Sequence, residues 1–509
     1  MLEKDFKLCN FEFFKSKIQY NYMSQEIRNL EPRALWNNFA SLNAVPRPSK
    51  KEERVVAFIK DFGKNLGLEV FEDKVQNVII RKPATAGMEN RKAIVLQGHL
   101  DMVHQKNADT AFDFDTQGIE MYVEGDWVRA KGTTLGADNG LGVAAIMAIL
   151  ESTTLAHPAI EALFTIDEET GMTGAMNLEE GLLQGQILLN LDTEEDDEID
   201  IGCAGGIDVT AEAEYDEEET PEHSTAYSIT VKGLKGGHSG IDIHKGLGNA
   251  NKIMNRLLFD GFDNFGLQIS EIHGGSLRNA IPRESVAKVI IASVYDEAFV
   301  FDMQQIVSEI KNELKTTEPN LEIVFEKLKN TPAKVMPPMA QYYFVRSMAT
   351  AANGVHRMSA DFENLVETSN NIAKVNLGKG KLSVQCLTRS SVESAKFDLA
   401  NELRSAFELM GCEVEISGSY PGWTPNPQSE ILEVLVPLYE KLNGEKPKVV
   451  ACHAGLECGI LGGNYPDMDM ISFGPTIHGA HSPDERASIA SSQKFWKFLV
   501  EILANIPVK

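Results

Sequence analysis

Six cysteines in 509 residues (Cys9, Cys203, Cys386, Cys412, Cys452 and Cys458) are too few and too irregularly spaced for a disulfide framework. That scarcity points to a reducing compartment, the cytoplasm, with the thiols serving as small buried hydrophobes. Long apolar runs are also missing. The longest, Gly142 to Leu150, is about half of the ~20 residues a membrane helix needs, so no span is expected. The opening stretch, Met1 to Tyr22, lacks the apolar core of a secretory signal; it reads as an extension, with Met23 as the natural start. Basic charge is in deficit, 48 Lys+Arg against 74 Asp+Glu, for a net charge of −26. Such a field repels nucleic acid phosphates and anionic lipid, which disfavours both as partners and favours a small molecule or protein.

What is present is enough for a large core. Hydrophobic residues make up 43% of the chain, and at ~150 residues per domain the length corresponds to about three domain-sized units. The pattern from Ala34 to Leu66 is helical, broken at Pro46-Arg47-Pro48, after which Ser49 is placed to cap the second helix. Short apolar strands follow at Val75–Ile80, Ala93–Gln97, Ala162–Ile166 and Ile187–Leu191, alternating with helical stretches such as Gly142–Glu151. That rhythm predicts an α/β domain with a central, mostly parallel sheet covered on both faces. An acidic, glycine-rich shift near residue 206 and a turn-rich stretch at Gly418–Pro427 set expected boundaries. The expected organisation is 23–205 and 417–509 as two parts of one α/β domain, interrupted by an α+β segment at 206–416.

Three of the apolar strands end in an acid or a histidine: His99-Leu100-Asp101, Asp167-Glu168-Glu169, and Asp192. Ligands of open α/β sheets gather outside the carboxyl ends of strands, so the coincidence marks a site. Residues two apart in extended chain share a face, which puts the Asp101 carboxylate within reach of the His99 ring. In Leu135-Gly136-Ala137-Asp138-Asn139-Gly140, glycines flanking a carboxylate permit tight backbone and close approach of a ligand. Adjacent carboxylates at Glu168 and Glu169 are unfavourable unless solvated or neutralised by a cation. Near the end, His478-Gly-Ala-His481-Ser-Pro-Asp-Glu485 adds imidazoles. Each piece also has a plainer reading: a satisfied histidine at a strand end, a common Asp-Asn-Gly turn, solvated acidic faces. Together, His99, Asp138, Glu169, Asp192 and His481 form a nitrogen and oxygen inventory without thiolate, suited to Zn²⁺, Co²⁺ or Mn²⁺. Cys452-His453 with Cys458 lacks a fourth zinc ligand and reads as a packed loop.

In order and spacing these motifs resemble those of the dinuclear zinc peptidases that include carboxypeptidase G and carnosinase, and most resemble the family's Xaa-His dipeptidases. Supporting motifs are Lys82-Pro-Ala-Thr-Ala-Gly-Met-Glu-Asn-Arg-Lys92, Gly202-Cys-Ala-Gly-Gly-Ile-Asp208, Lys232-Gly-Leu-Lys-Gly-Gly-His-Ser-Gly240, Arg278-Asn-Ala-Ile-Pro-Arg-Glu284 and His453-Ala-Gly-Leu-Glu-Cys-Gly459. The resemblance runs from about Met23 to Lys509. It implies two Zn²⁺ per chain, with Co²⁺ or Mn²⁺ able to substitute, bridged by Asp138 and a water. Glu169 and His481 would complete one metal, and His99 and Asp192 the other. Glu168 matches the general base and Asp101 the acid that orients His99. The middle segment becomes a lid, in which His238 stabilises the oxyanion. Asn279 and Arg389 are the positions expected to hold the substrate backbone and its C-terminal carboxylate. The lid is long enough for two small sandwiches, so either His238 acts across a homodimer or the second half of the lid stands in for the partner. The implied activity is hydrolysis of unblocked dipeptides, carnosine-like Xaa-His among them. Alternatives are a related di-zinc hydrolase of N-acyl amino acids or tripeptides, and a non-catalytic binding protein on the same fold.

Overall fold

Pro46 and Pro48 cannot continue a helix, and the computed structural model places helices Arg33–Leu42 and Glu53–Asn65 on either side of them. The structure describes residues 25–509 except 108, 363 and 427; the expectations for Met1–Tyr22, the start at Met23, and Cys9 lie outside the described residues. Ser49 does not cap the second helix. The N-cap is Glu52, without a side-chain cap bond, because the Ser49 hydroxyl donates to Asp101 Oδ2 at 2.8 Å instead. Among the described residues no helix is long and apolar enough to cross a membrane.

The chain divides into two compact units. One comprises the described residues up to Gly202 with Pro425–Val450 and Ile460–Lys509; the other comprises Cys203–Thr424 and Ala451–Gly459. In the first unit an eight-stranded sheet runs in the order Glu69–Glu72, Val78–Lys82, Ile160–Thr165, Ile94–His99, Ile187–Asn190, Asp469–Ser472, Glu198–Cys203, Lys448–Cys452. Its centre is parallel: Ile94–His99 pairs parallel with both neighbours, and Asp469–Ser472 pairs parallel with Ile187–Asn190. The strands flanking that centre turn antiparallel. Every residue of Ile94–His99, Ile160–Thr165 and Ile187–Asn190 is buried, which accounts for their mostly apolar sequence. Helix Ala137–Glu151 packs against Arg33–Leu42 and the strand Ile94–His99. It is buried on all sides and therefore carries no amphipathic stripe.

The second unit repeats one plan. Its first half sets strands Ser224–Lys232, Gln268–Gly274, Ser285–Ala292 and Glu322–Lys327 with helices Ala250–Phe265 and Asp296–Glu313. The second half sets Gly205–Glu214, Val366–Gly378, Lys381–Ser390 and Glu413–Tyr420 with helices Pro338–Thr350 and Glu393–Glu408. The halves join edge to edge where Ile272, His273 and Gly274 pair with Leu377, Asn376 and Val375. One continuous core, containing Leu257 and Phe299 from the first half and Leu403 and Phe407 from the second, lies beneath both. The two sandwich-like halves expected from lid length thus lie within a single chain.

Candidate metal centre

The strand Ile94–His99 ends on His99, whose ring is buried. The adjoining strand Ile160–Thr165 carries the chain to Glu168 and Glu169, and Ile187–Asn190 carries it to Asp192. Parallel pairing at the sheet's centre therefore delivers these residues to one edge. At Asp138 the backbone departs from helical geometry (φ −79°, ψ 117°) just inside the start of Ala137–Glu151. His481 sits in the left-handed region at φ 64°.

The Asp138 carboxylate lies between two imidazoles. Its Oδ1 is 3.1 Å from His99 Nε2 and its Oδ2 is 3.1 Å from His481 Nε2. His99 Nε2 is also 3.5 Å from Asp192 Oδ1, and His481 Nε2 is 2.9 Å from Glu169 Oε2. Asp101 Oδ1 stands 3.3 Å from the other ring nitrogen of His99. Two groupings of metal-ligand type result, His99–Asp138–Asp192 and Asp138–Glu169–His481, sharing Asp138. Glu168 groups with His99 and Glu169.

These donors fit a pair of divalent cations. Two ligand atoms at about 2.0–2.1 Å from one tetrahedral zinc stand about 3.3–3.4 Å apart, and the observed separations of 2.9 to 3.5 Å bracket that value. Asp192 Oδ1 is moreover buried without a hydrogen-bond partner. A further acidic grouping, Glu52–Asp101–Asp167, is already served by Lys50 on Asp167 and Ser49 on Asp101.

Charge follows geometry. Burial works against a charged His99 ring, but Asp192, Asp101 and Asp138 outweigh it and raise its pKa well above the ordinary value. Asp138 and Glu169 push His481 up to about 11. Burial opposes ionisation of Asp138, yet His481 and His99 hold it well below the usual carboxylate range. Burial pushes Asp192 up to about 7 and Glu194 up to about 8, the latter helped by the charge of Asp138. The cluster carries more negative charge than its two imidazoles neutralise and answers by retaining protons, which divalent cations displace on binding.

Sequence reasoning overlooked three side chains here. Arg47 is fully buried and Glu485 is 2% exposed, and both grip the backbone of Leu135–Asp138. Ser49 bonds Asp101. The glycines around Asp138 also have a different purpose from the close approach of a ligand. A Cβ on Gly136 (φ 68°) or on Gly140 would stand 2.6 Å from Arg47 Nη2, so the group they admit is the guanidinium. Only the presence of an arginine between two prolines hinted at Arg47.

The second unit brings together His238, Asn279 and Arg389. Arg389 Nη1 donates to Tyr420 Oη at 2.9 Å, and its Nη2 lies 3.4 Å from His238 Nε2. Asn279 joins through its carbonyl, which accepts from the Ser239 N–H at 2.8 Å. His238 Nδ1 accepts the backbone N–H groups of Gly240 and Ile241 at 3.2 and 3.1 Å, which leaves the neutral ring's proton on Nε2. Nε2–H and the guanidinium are then neighbouring donors 3.4 Å apart, suited to an oxygen of a bound molecule. His453 is buried with Nε2 2.8 Å from Ser369 Oγ. Among the described residues no metal-ligand grouping includes it or its neighbouring cysteines.

Comparison with known proteins agrees with this geometry. Residues 95–505 match the sequence profile of Peptidase family M20/M25/M40. The chain is 43% identical to cytosol non-specific dipeptidase of Escherichia coli (strain K12) over 484 residues, 95% of this chain and 100% of that protein. The crystal structure of aminoacylhistidine dipeptidase from Vibrio alginolyticus superposes with a TM-score of 0.88 at 44% identity, covering 95% of this chain and 98% of that one. Aminopeptidase PepT from Bacillus cereus shares the fold, with a TM-score of 0.55 at 17% identity, covering 94% and 99%. A profile match over most of the length, joined to this coverage and identity, shows that the chain belongs to Peptidase family M20/M25/M40 and is a metallopeptidase.

Proposed function

We propose that the protein is a cytoplasmic dipeptidase that binds two zinc ions and cleaves unblocked dipeptides, Xaa-His among them. The observation that carries this reading is the position of Asp138, whose two oxygens each face a different imidazole at 3.1 Å. The names of the Escherichia coli and Vibrio alginolyticus relatives support the substrate class. His99, Asp138 and Asp192 would hold one ion, and Asp138, Glu169 and His481 the other. Two divalent cations so held would supply an activated water at neutral pH and polarise the scissile carbonyl. Glu168 takes the proton of the attacking water and returns it to the leaving amine. Asp101 keeps the His99 ring in place. His238 offers Nε2–H to the developing oxyanion, Arg389 reads the C-terminal carboxylate and Asn279 the substrate backbone.

Chelation followed by assay on a panel of dipeptides, tripeptides and N-acyl amino acids tests the reading. Activity should vanish on chelation and return with Zn²⁺ or Co²⁺, with free dipeptides preferred. Undiminished turnover in metal-free protein would overturn the mechanism, and a preference for N-acyl amino acids or tripeptides would overturn the substrate. In this reading His238, which lies beside Arg389 of the same unit, acts within its own chain. Mixing a His238→Ala chain with a His99→Ala chain should then restore nothing; recovered activity would show action across a homodimer.

A further inference from the structure

The carboxylate shared by the two groupings is held by a segment whose backbone is gripped from both polar sides. On the amide side, Glu485 Oε2 accepts the N–H groups of Leu135 at 2.7 Å and Gly136 at 3.0 Å. Its Oε1 accepts those of Ala137 at 2.7 Å and Asp138 at 3.4 Å. On the carbonyl side, Arg47 Nη2 donates to Gly136 O and to Asn43 Oδ1. Arg47 Nη1 donates to the carbonyls of Leu100 at 3.0 Å and Asp101 at 2.8 Å. Among the described residues Glu485 belongs to no metal-ligand grouping, and a guanidinium is a donor only.

We infer that Arg47 and Glu485 are positioning residues that set where the two oxygens of Asp138 stand and thereby tune metal binding; the inference rests on the two-metal reading above. The reach of each residue divides the work. Arg47 ties the turn after His99 to the turn before Asp138, fixing the His99–Asp138 edge. Glu485, four residues beyond His481, ties the His481 loop to the same turn and fixes the His481–Asp138 edge. A planar guanidinium with donors in a rigid fork can span two turns at once, as a lysine ammonium cannot. A carboxylate accepting successive amides orients their peptide planes, and an amide in its place turns an N–H against an N–H. Loss of such supporting contacts typically costs about 10- to 100-fold in metal affinity.

The test is titration of Zn²⁺ and Co²⁺ into metal-free wild type, Glu485→Gln and Arg47→Lys chains, followed by calorimetry and by Co²⁺ absorption. In each variant at least one of two equivalents should bind about 10- to 100-fold more weakly, with an altered Co²⁺ spectrum. Two equivalents bound as in wild type with an unchanged spectrum would overturn the proposal. Thermal unfolding separates positioning from folding: the metal-loaded variants should lose more than the metal-free ones. Equal losses in both forms would mean that these residues only stabilise the fold, and the proposal would fall. A wild-type chain that binds fewer than two equivalents would refute the two-metal reading itself, a result distinct from unchanged variants.

Discussion

The Asp101 carboxylate accepts the backbone N–H of Glu168 at 3.0 Å through Oδ1. Its Oδ2 accepts the N–H of Glu169 at 3.3 Å and the Ser49 hydroxyl at 2.8 Å. One buried side chain thus links the His99 turn to the two glutamates. Despite burial, its pKa is lowered by His99, Ser49 and Glu168, so it is an acceptor at neutral pH. Asp101→Asn puts an NH₂ where two donors converge. We expect metal affinity to drop by about 10- to 100-fold, with turnover falling at limiting metal. An Asn variant with wild-type zinc affinity would remove Asp101 from this role.

Glu168 and Glu169 are adjacent in sequence, yet the proposed roles separate them. Glu169 lies against His481, so Glu169→Ala should lose metal, measured as less than the wild-type zinc content after dialysis. Glu168→Ala should keep its zinc and lose about 10²- to 10⁴-fold in kcat. Near-normal turnover in the Glu168 variant would refute the general base.

His99, Glu168, Glu169 and Asp192 of the candidate site were legible because they follow from strand geometry. Apolar strands buried on both faces are easily read, and the acids at their ends stand out against them, as at His99, Glu168–Glu169 and Asp192. Arg47 and Glu485 escaped notice because they bind backbone groups rather than one another's side chains, and Glu485 reaches amides some 350 positions away. No local charge pattern records such a contact. Ser49 misled for a related reason: a serine before a helix serves as a cap unless a stronger acceptor lies near, and here the buried Asp101 carboxylate is that acceptor. The short segment Ala451–Gly459, which joins the second unit, is equally unmarked. Its His453 makes a long-range contact with Ser369.

Tyr420 gives a test of the carboxylate-reading role proposed for Arg389 that leaves the arginine in place. Its Oη accepts from Arg389 Nη1 at 2.9 Å, and Arg389 is 4% exposed. Tyr420→Phe removes one acceptor and frees the fork to swing. A hydrogen bond to a charged group contributes about 1.5 kcal/mol, so KM for a dipeptide should rise roughly tenfold, with zinc content unchanged and kcat altered little. An unchanged KM would argue that Arg389 does not meet the substrate.

His453 should make the second unit sensitive to acid. Burial, then the positive charge of Arg389, pushes its pKa down to about 3, while an unfolded histidine titrates near ~6.5. Between those values the unfolded chain binds up to one proton more than the folded chain, so stability is fully present above ~6.5 and falls as pH falls. The greatest slope from one such group is about 1.4 kcal/mol per pH unit. Replacing His453 with Gln, which keeps a polar group near Ser369, should flatten the decline in unfolding free energy, read from urea titrations, between about pH 6 and 4 by up to that amount, although the variant starts from a lower stability at pH 7. Parallel profiles for the two proteins would show that His453 is not the group responsible.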